Sequence, residues 1–113
     1  MLRIYAVVLE LVRRLGSVVE LVRARDNELG KQMARALASV VLNTAEGAGN
    51  TGGHKRERYQ TALGSAREVK ACVDTGVALG YIGALDEGTA DMLDHVTATL
   101  VVLVVGRRRG QAA

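Results

Sequence analysis

Apolar residues return along this chain in alternating steps of four and three. In the first segment they are Ile4, Val8, Leu11, Leu15, Val18 and Val22, with Arg3, Glu10, Arg13, Arg14, Ser17 and Glu20 falling between them. Such spacing gathers the apolar side chains on one side of an α-helix, a pattern that a strand, with its period of two, does not produce. Leu29, Met33, Ala36, Val40 and Asn43 repeat it toward Gly47, after an N-cap at Asp26 or Asn27 and an acidic first turn at Glu28. A third line, Tyr59, Ala62, Leu63, Ala66, Val69, Val73 and Val77, predicts a helix from about His54 to a stop at Gly80. A fourth helix starts within residues 85–87 and runs through Met92, Val96 and Leu100 to Gly106.

One domain is the natural size for 113 residues, and the composition suits helices: no Pro, no Phe or Trp, and only Tyr5, Tyr59 and Tyr81 as aromatics. Four helices of similar length with short links predict an all-α, up-down-up-down antiparallel four-helix bundle over residues 1–106, followed by a basic tail, 107–113, that frays. Cys72 stands alone, so no internal disulfide can form and a reducing cytoplasm is the expected compartment. The apolar runs at 4–9 and 100–105 are shorter than the roughly 18 residues of a membrane span, so no membrane partner is expected.

Residues 100–105, LVVLVV, carry more apolar surface than one core face of a small bundle requires. Their β-branched side chains also permit a strand, but no other segment could pair with it. The favoured reading is a helix covered on two sides, by the bundle and by a neighbouring subunit, which makes the chain a homo-oligomer.

Gly47, Gly49 and Gly52 spell G-x-G-x-x-G, yet a dinucleotide fingerprint needs a strand before its first glycine, and a helix precedes it here. The Walker pattern fails too, because Gly53 and His54 follow Gly52. The segment reads as a helix end and a turn. Lys55, Arg56 and Arg58 then fall in the first turns of the third helix, where the helix dipole disfavours positive charge. Either they form a solvated turn offset by Glu57, or they contact phosphates. Antiparallel topology would gather Arg3, Lys55, Arg56, Arg58, Arg107, Arg108 and Arg109 at one pole against Glu46 and Glu57 alone. The other pole would hold Arg23, Arg25 and Lys31 against Asp26, Glu28, Asp74, Asp86, Glu87 and Asp91. Repeated around an oligomer axis, the first pole would make a basic ring through which a chain of net charge only +3 could bind RNA or DNA.

Gln32, Arg35, Ser39, Asn43 and Glu46 form a polar stripe on the second helix, and Ser65, Glu68 and Cys72 on the third. Glu46 and Glu68 could be paired carboxylates, but di-iron bundles need Glu-x-x-His motifs, and neither His54 nor His95 follows a Glu at that spacing. No catalytic residue, metal or cofactor is therefore expected, and the chain reads as a non-enzyme. The expected role of Gln32, Arg35, Asn43, Glu46, Ser65 and Glu68 is a buried structural network with Arg35 as the partner of Glu68 or Glu46, so that Glu68→Ala disturbs folding or assembly. His95 should be partly buried, Cys72 a small core residue, and Tyr59 and Tyr81 packed with their hydroxyls reaching water.

The segments QMARALASVVLNTAEG, residues 32–47, and ALGSAREVKACVDTGVALGYI, residues 62–82, resemble the four-helix-bundle family of 23S rRNA intervening-sequence proteins. The family pattern S-[VI]-P-x-N-[IV]-A-E-G is met with Val41 in place of Pro and Thr44 in place of the aliphatic residue, and Asn50 stands where a basic residue is common. The resemblance implies bundles that assemble into a homopentameric ring. It also implies kinship with the accessory variability determinant proteins of diversity-generating retroelements, which bind a reverse transcriptase and nucleic acid. The function implied is a non-enzymatic adaptor associated with RNA or DNA, the alternative being a protein-protein scaffold ring without nucleic-acid binding.

Overall fold

The computed structural model describes residues 3–49 and 52–106. Four helices account for almost all of them: α1 (Arg3–Arg25), α2 (Asn27–Gly49), α3 (Gly52–Ala78) and α4 (Glu87–Val105), with no strand among the described residues. Each helix packs on its neighbour in chain order, α2 on α3 most extensively, and α1 meets α4 to close the bundle. The molecule is 46 × 24 × 21 Å, elongated along the helices.

The core lines follow the expected spacing with a one-residue drift. On α1 the buried residues are Ile4, Val8, Leu11, Leu15, Val19 and Val22, so Val19 replaces Val18. On α2 Thr44 is buried and Asn43 only half-buried, and on α4 Leu93 replaces Met92. On α1 and α2 a strict step of 3.5 drifts by roughly 20° per heptad from a straight helix of 3.6, which brings the next residue inward after two or three turns. Near the end of α3 Gly76 is buried instead of Val77, because Ile82 from the following link packs 3.3 Å from where a Gly76 Cβ would stand.

Tight connections set the pairing. Only Asp26 separates α1 from α2, and its carboxylate accepts the Leu29 N–H at 3.0 Å as the N-cap of α2. The corner brings the backbones so close that a Cβ on Gly30 would lie 2.8 Å from the Arg23 Cα. α3 ends as Tyr81 N–H donates to the Gly76 carbonyl at 2.8 Å and Gly80 N–H to that of Val77 at 3.0 Å. Gly80 takes the left-handed φ of 77° that this closure demands. Asp86 caps α4, accepting from the Thr89 hydroxyl at 2.8 Å and the Thr89 N–H at 2.9 Å. These two bonds hold its carboxyl below the ordinary carboxylate range.

α4 as a whole is long and apolar enough to cross a bilayer by length and composition, which the run 100–105 taken alone does not reveal. In the bundle its line Thr89, Leu93, Val96 and Leu100 is buried against the other helices, and its length includes Asp91 and Asp94, charges that a bilayer core disfavours.

Candidate nucleic-acid interface

The glycine pattern is spelled by the last turn of α2 and the first residue of α3. Gly47 is buried beneath the Tyr59 ring, and a Cβ there would come within 2.6 Å of the ring Cε1. Close packing of two helices therefore explains this glycine. Tyr59 is only 1% exposed, and among the described residues neither its hydroxyl nor that of the equally buried Thr44 has a hydrogen-bond partner. This corrects the expectation that the Tyr59 hydroxyl reaches water. Burial also raises the phenol above its ordinary pKa.

Lys55, Arg56 and Arg58 are exposed on the first turns of α3. Lys55 and Arg56, with Tyr59 and the final turn of α4 at residues 102–106, line an open cleft of about 420 Å³. Glu57, the acid expected to offset them, instead lies 3.7 Å from the His54 Nδ1. Among the described residues no carboxylate lies within ion-pair distance of Lys55, Arg56 or Arg58; Arg58 Nη1 donates to Asn43 Oδ1 at a long 3.5 Å. Arg107, Arg108 and Arg109 lie outside the described residues, immediately after Gly106, itself part of the cleft.

The polar stripe differs from the buried network expected of it. Its inner part is a hydroxyl pair, Ser39 Oγ to Ser65 Oγ at 2.6 Å, with Asn43 Nδ2 donating to Ser39 Oγ at 3.1 Å and to the Ser39 carbonyl at 3.0 Å. Gln32, Arg35 and Glu68 border the same groove but are exposed, as is Glu46, and Arg35 forms no ion pair with Glu68 or Glu46. Long charged side chains at the margin of a helix interface extend toward water rather than inward. Ser39, whose partner is 26 residues away, is the link that periodicity alone does not find.

His95 is exposed rather than partly buried, since Val96 takes the core position beside it. Cys72 is buried as expected, and burial, with the Glu68 charge second, raises its thiol pKa. On the last turns of α4 Leu100 is buried, Val102 is 62% exposed, and Val101, Leu103, Val104 and Val105 are half-buried. The run is a helix, and one side of it faces outward in the single chain.

No curated protein and no solved structure matches this chain. One family description, 23S rRNA-intervening sequence protein, matches residues 1–101. That span takes in α1, α2, α3 and most of α4, together with both segments quoted above. The chain belongs to the family of 23S rRNA-intervening sequence proteins.

Proposed function

We propose that this chain is a non-enzymatic, cytoplasmic adaptor, free of metal and cofactor and independent of membranes. In this reading it assembles with copies of itself as a pentameric ring and contacts RNA or DNA phosphates through Lys55, Arg56 and Arg58, joined by Arg107, Arg108 and Arg109. The observation that carries the reading is the three exposed cations on the opening turns of a 27-residue helix, with no carboxylate in reach among the described residues. A helix N-terminus attracts anions and repels cations, so unpaired Lys and Arg there are best satisfied by an anion from outside. Membership in a family named for an rRNA insertion supports a nucleic acid as that anion. The outward apolar side of residues 101–105 supports self-assembly, which would repeat the cations around an axis. A reverse transcriptase is the protein partner that the retroelement kinship points to.

Contact through phosphates makes binding weakly sequence-selective and strongly salt-dependent. The test is size-exclusion chromatography with light scattering on protein purified without nuclease, followed by salt titration of binding. With no Trp and three Tyr, the protein absorbs so little ultraviolet light that retained nucleic acid would dominate the signal. A five-subunit mass carrying nucleic acid that salt removes supports the proposal. Neutralising Lys55, Arg56 and Arg58 together should lower the slope of log K against log salt on duplex DNA by roughly 2.7, at about 0.9 for each phosphate no longer neutralised. An unchanged slope would refute the site, and a clean monomer would refute the ring. A clean ring would favour the scaffold reading, for which exposed Leu21, Leu42, Leu79 and Val102 offer docking points.

A further inference from the structure

The cleft between the start of α3 and the end of α4 is lined on one side by Lys55, Arg56 and Tyr59 and on the other by Val102, Leu103, Val104 and Val105. Phosphate contact uses the two cations and leaves the rest of the cleft without a role. Its volume, about 420 Å³, falls within the roughly 300–1,000 Å³ of small-ligand sites, and like them it is lined mostly by apolar side chains. Tyr59 brings one further polar atom, a buried hydroxyl without a partner among the described residues. An occupant suited to all three features joins an anion to a compact, uncharged body with hydrogen-bonding atoms at its edge.

The stretches of chain that adjoin the cleft do not match that description. Arg107, Arg108 and Arg109, which follow Gly106, have the wrong sign for Lys55 and Arg56, and Asn50 and Thr51, which precede α3, are uncharged. A nucleotide with an unpaired base does match it: a phosphate, then a base with apolar faces and hydrogen-bonding edges. In a duplex the same base is stacked and paired, and only the phosphates reach the cations. We propose that the cleft admits a base from a single-stranded segment, so that this site selects unpaired over paired nucleic acid. The proposal rests on the phosphate-contact reading and adds a preference that charge alone does not supply. Phosphate contact by itself favours the duplex, which releases about 0.9 counterion per phosphate against about 0.7 for a single strand.

The experiment is fluorescence anisotropy on the full chain at one salt concentration with three labelled probes: a single-stranded DNA oligonucleotide, the same oligonucleotide with its bases replaced by abasic tetrahydrofuran units, and the base-paired duplex. The first two carry the same phosphates, so phosphate contact alone binds them equally. The intact oligonucleotide should bind about tenfold more tightly than the abasic one. That factor corresponds to about 55 Å² of apolar surface removed from water at about 25 cal/mol per Å², less than one aromatic side chain buries. Val102→Thr, Val104→Thr and Val105→Thr together make the wall polar without changing its charge and should remove most of that advantage. Duplex binding, which also reports an intact fold, should be unchanged in that variant. A 4-thiothymidine in the oligonucleotide should photocrosslink to Tyr59 or within residues 102–106. Equal binding of the intact and abasic oligonucleotides, with duplex binding retained, would overturn the role of the cleft and leave the phosphate contacts standing. Crosslinks confined to other residues would overturn it as well. So would capture of phosphatidylglycerol vesicles with no preference among the three probes, which would give the cleft to an anionic lipid. Absence of binding to every probe would instead refute the phosphate-contact reading, and the proposal with it.

Discussion

At the end of the bundle where α1 turns into α2 and α3 into α4, the polar side chains against the core are partnered; at the end where α2 turns into α3, two buried ones have no partner among the described residues. The first end has Asp26 capping α2 and accepting the Tyr81 hydroxyl at 3.3 Å, Arg25 lying 5.5 Å over the Tyr81 ring, and Asp86 bonded twice to Thr89. The second end buries Thr44 and Tyr59 with hydroxyls unpartnered among the described residues and closes by pressing a tyrosine ring onto a glycine. Among the described residues one end is pinned by several directional bonds as well as packing, the other by packing and one long bond from Arg58 to Asn43. The cations of the proposed interface sit at the second.

Steric probes break this comparison most forcefully. Gly30→Ala meets the Arg23 backbone, which cannot step aside, and should cost about 3 kcal/mol in denaturant unfolding. Gly47→Ala meets the Tyr59 ring, which must shift toward the cleft it lines, and should cost about 2 kcal/mol. A neutral Gly47→Ala would mean that packing is not what holds the second end. Removing hydroxyls sharpens the contrast through its sign. Thr44→Val and Tyr59→Phe delete buried groups with no partner among the described residues and should each raise stability by about 1 kcal/mol, whereas Tyr81→Phe loses its long bond to Asp26 and should cost about 0.5 kcal/mol. Three losses of equal size would erase the distinction.

Acid should weaken the first end in particular. The folded pKa of Asp86 is depressed, so its contribution is complete above the ordinary carboxylate pKa and is lost as pH falls through the lowered value. Asn retains capping ability without titrating, so wild type should melt above Asp86→Asn near neutrality, and the gap should close on acidification. A gap independent of pH would sink the assignment. The smallest effect is expected at Glu68→Ala. With Glu68 exposed and unpaired among the described residues, the change should stay within about 0.5 kcal/mol, against the sequence-based expectation of disturbed folding.

Much of the bundle is readable before folding because each helix carries its own periodicity and end signals: Asp26 and Asp86 at starts, Gly80 and Gly106 at stops. Two misplacements, Val18 for Val19 and Asn43 for Thr44, share one origin in treating 3.6 residues per turn as 3.5, whereas Met92 for Leu93 comes from stepping by four where the buried line takes three. What stays hidden depends on how one helix is rotated against another. The Ser39–Ser65 bond, the exposure of Arg35 and Glu68, and the sealing of Tyr59 are all of that kind. The basic turn of α3 is legible because it violates a local rule, cations facing a helix dipole, whereas its cleft is created by the arriving end of α4.

That arriving end has a consequence during synthesis. Residues 100–105 are six consecutive Leu and Val residues without charge, Gly or Pro, and they are helical in the docked bundle. Undocked, the same six residues match the signature of strands that stack between chains into amyloid-like sheets. Arg107, Arg108 and Arg109 follow almost at once, and like charges beside such a segment act as gatekeepers that make stacking repulsive. Neutralising them should lower the soluble yield of newly made chain even where no nucleic acid and no second subunit is present to miss them.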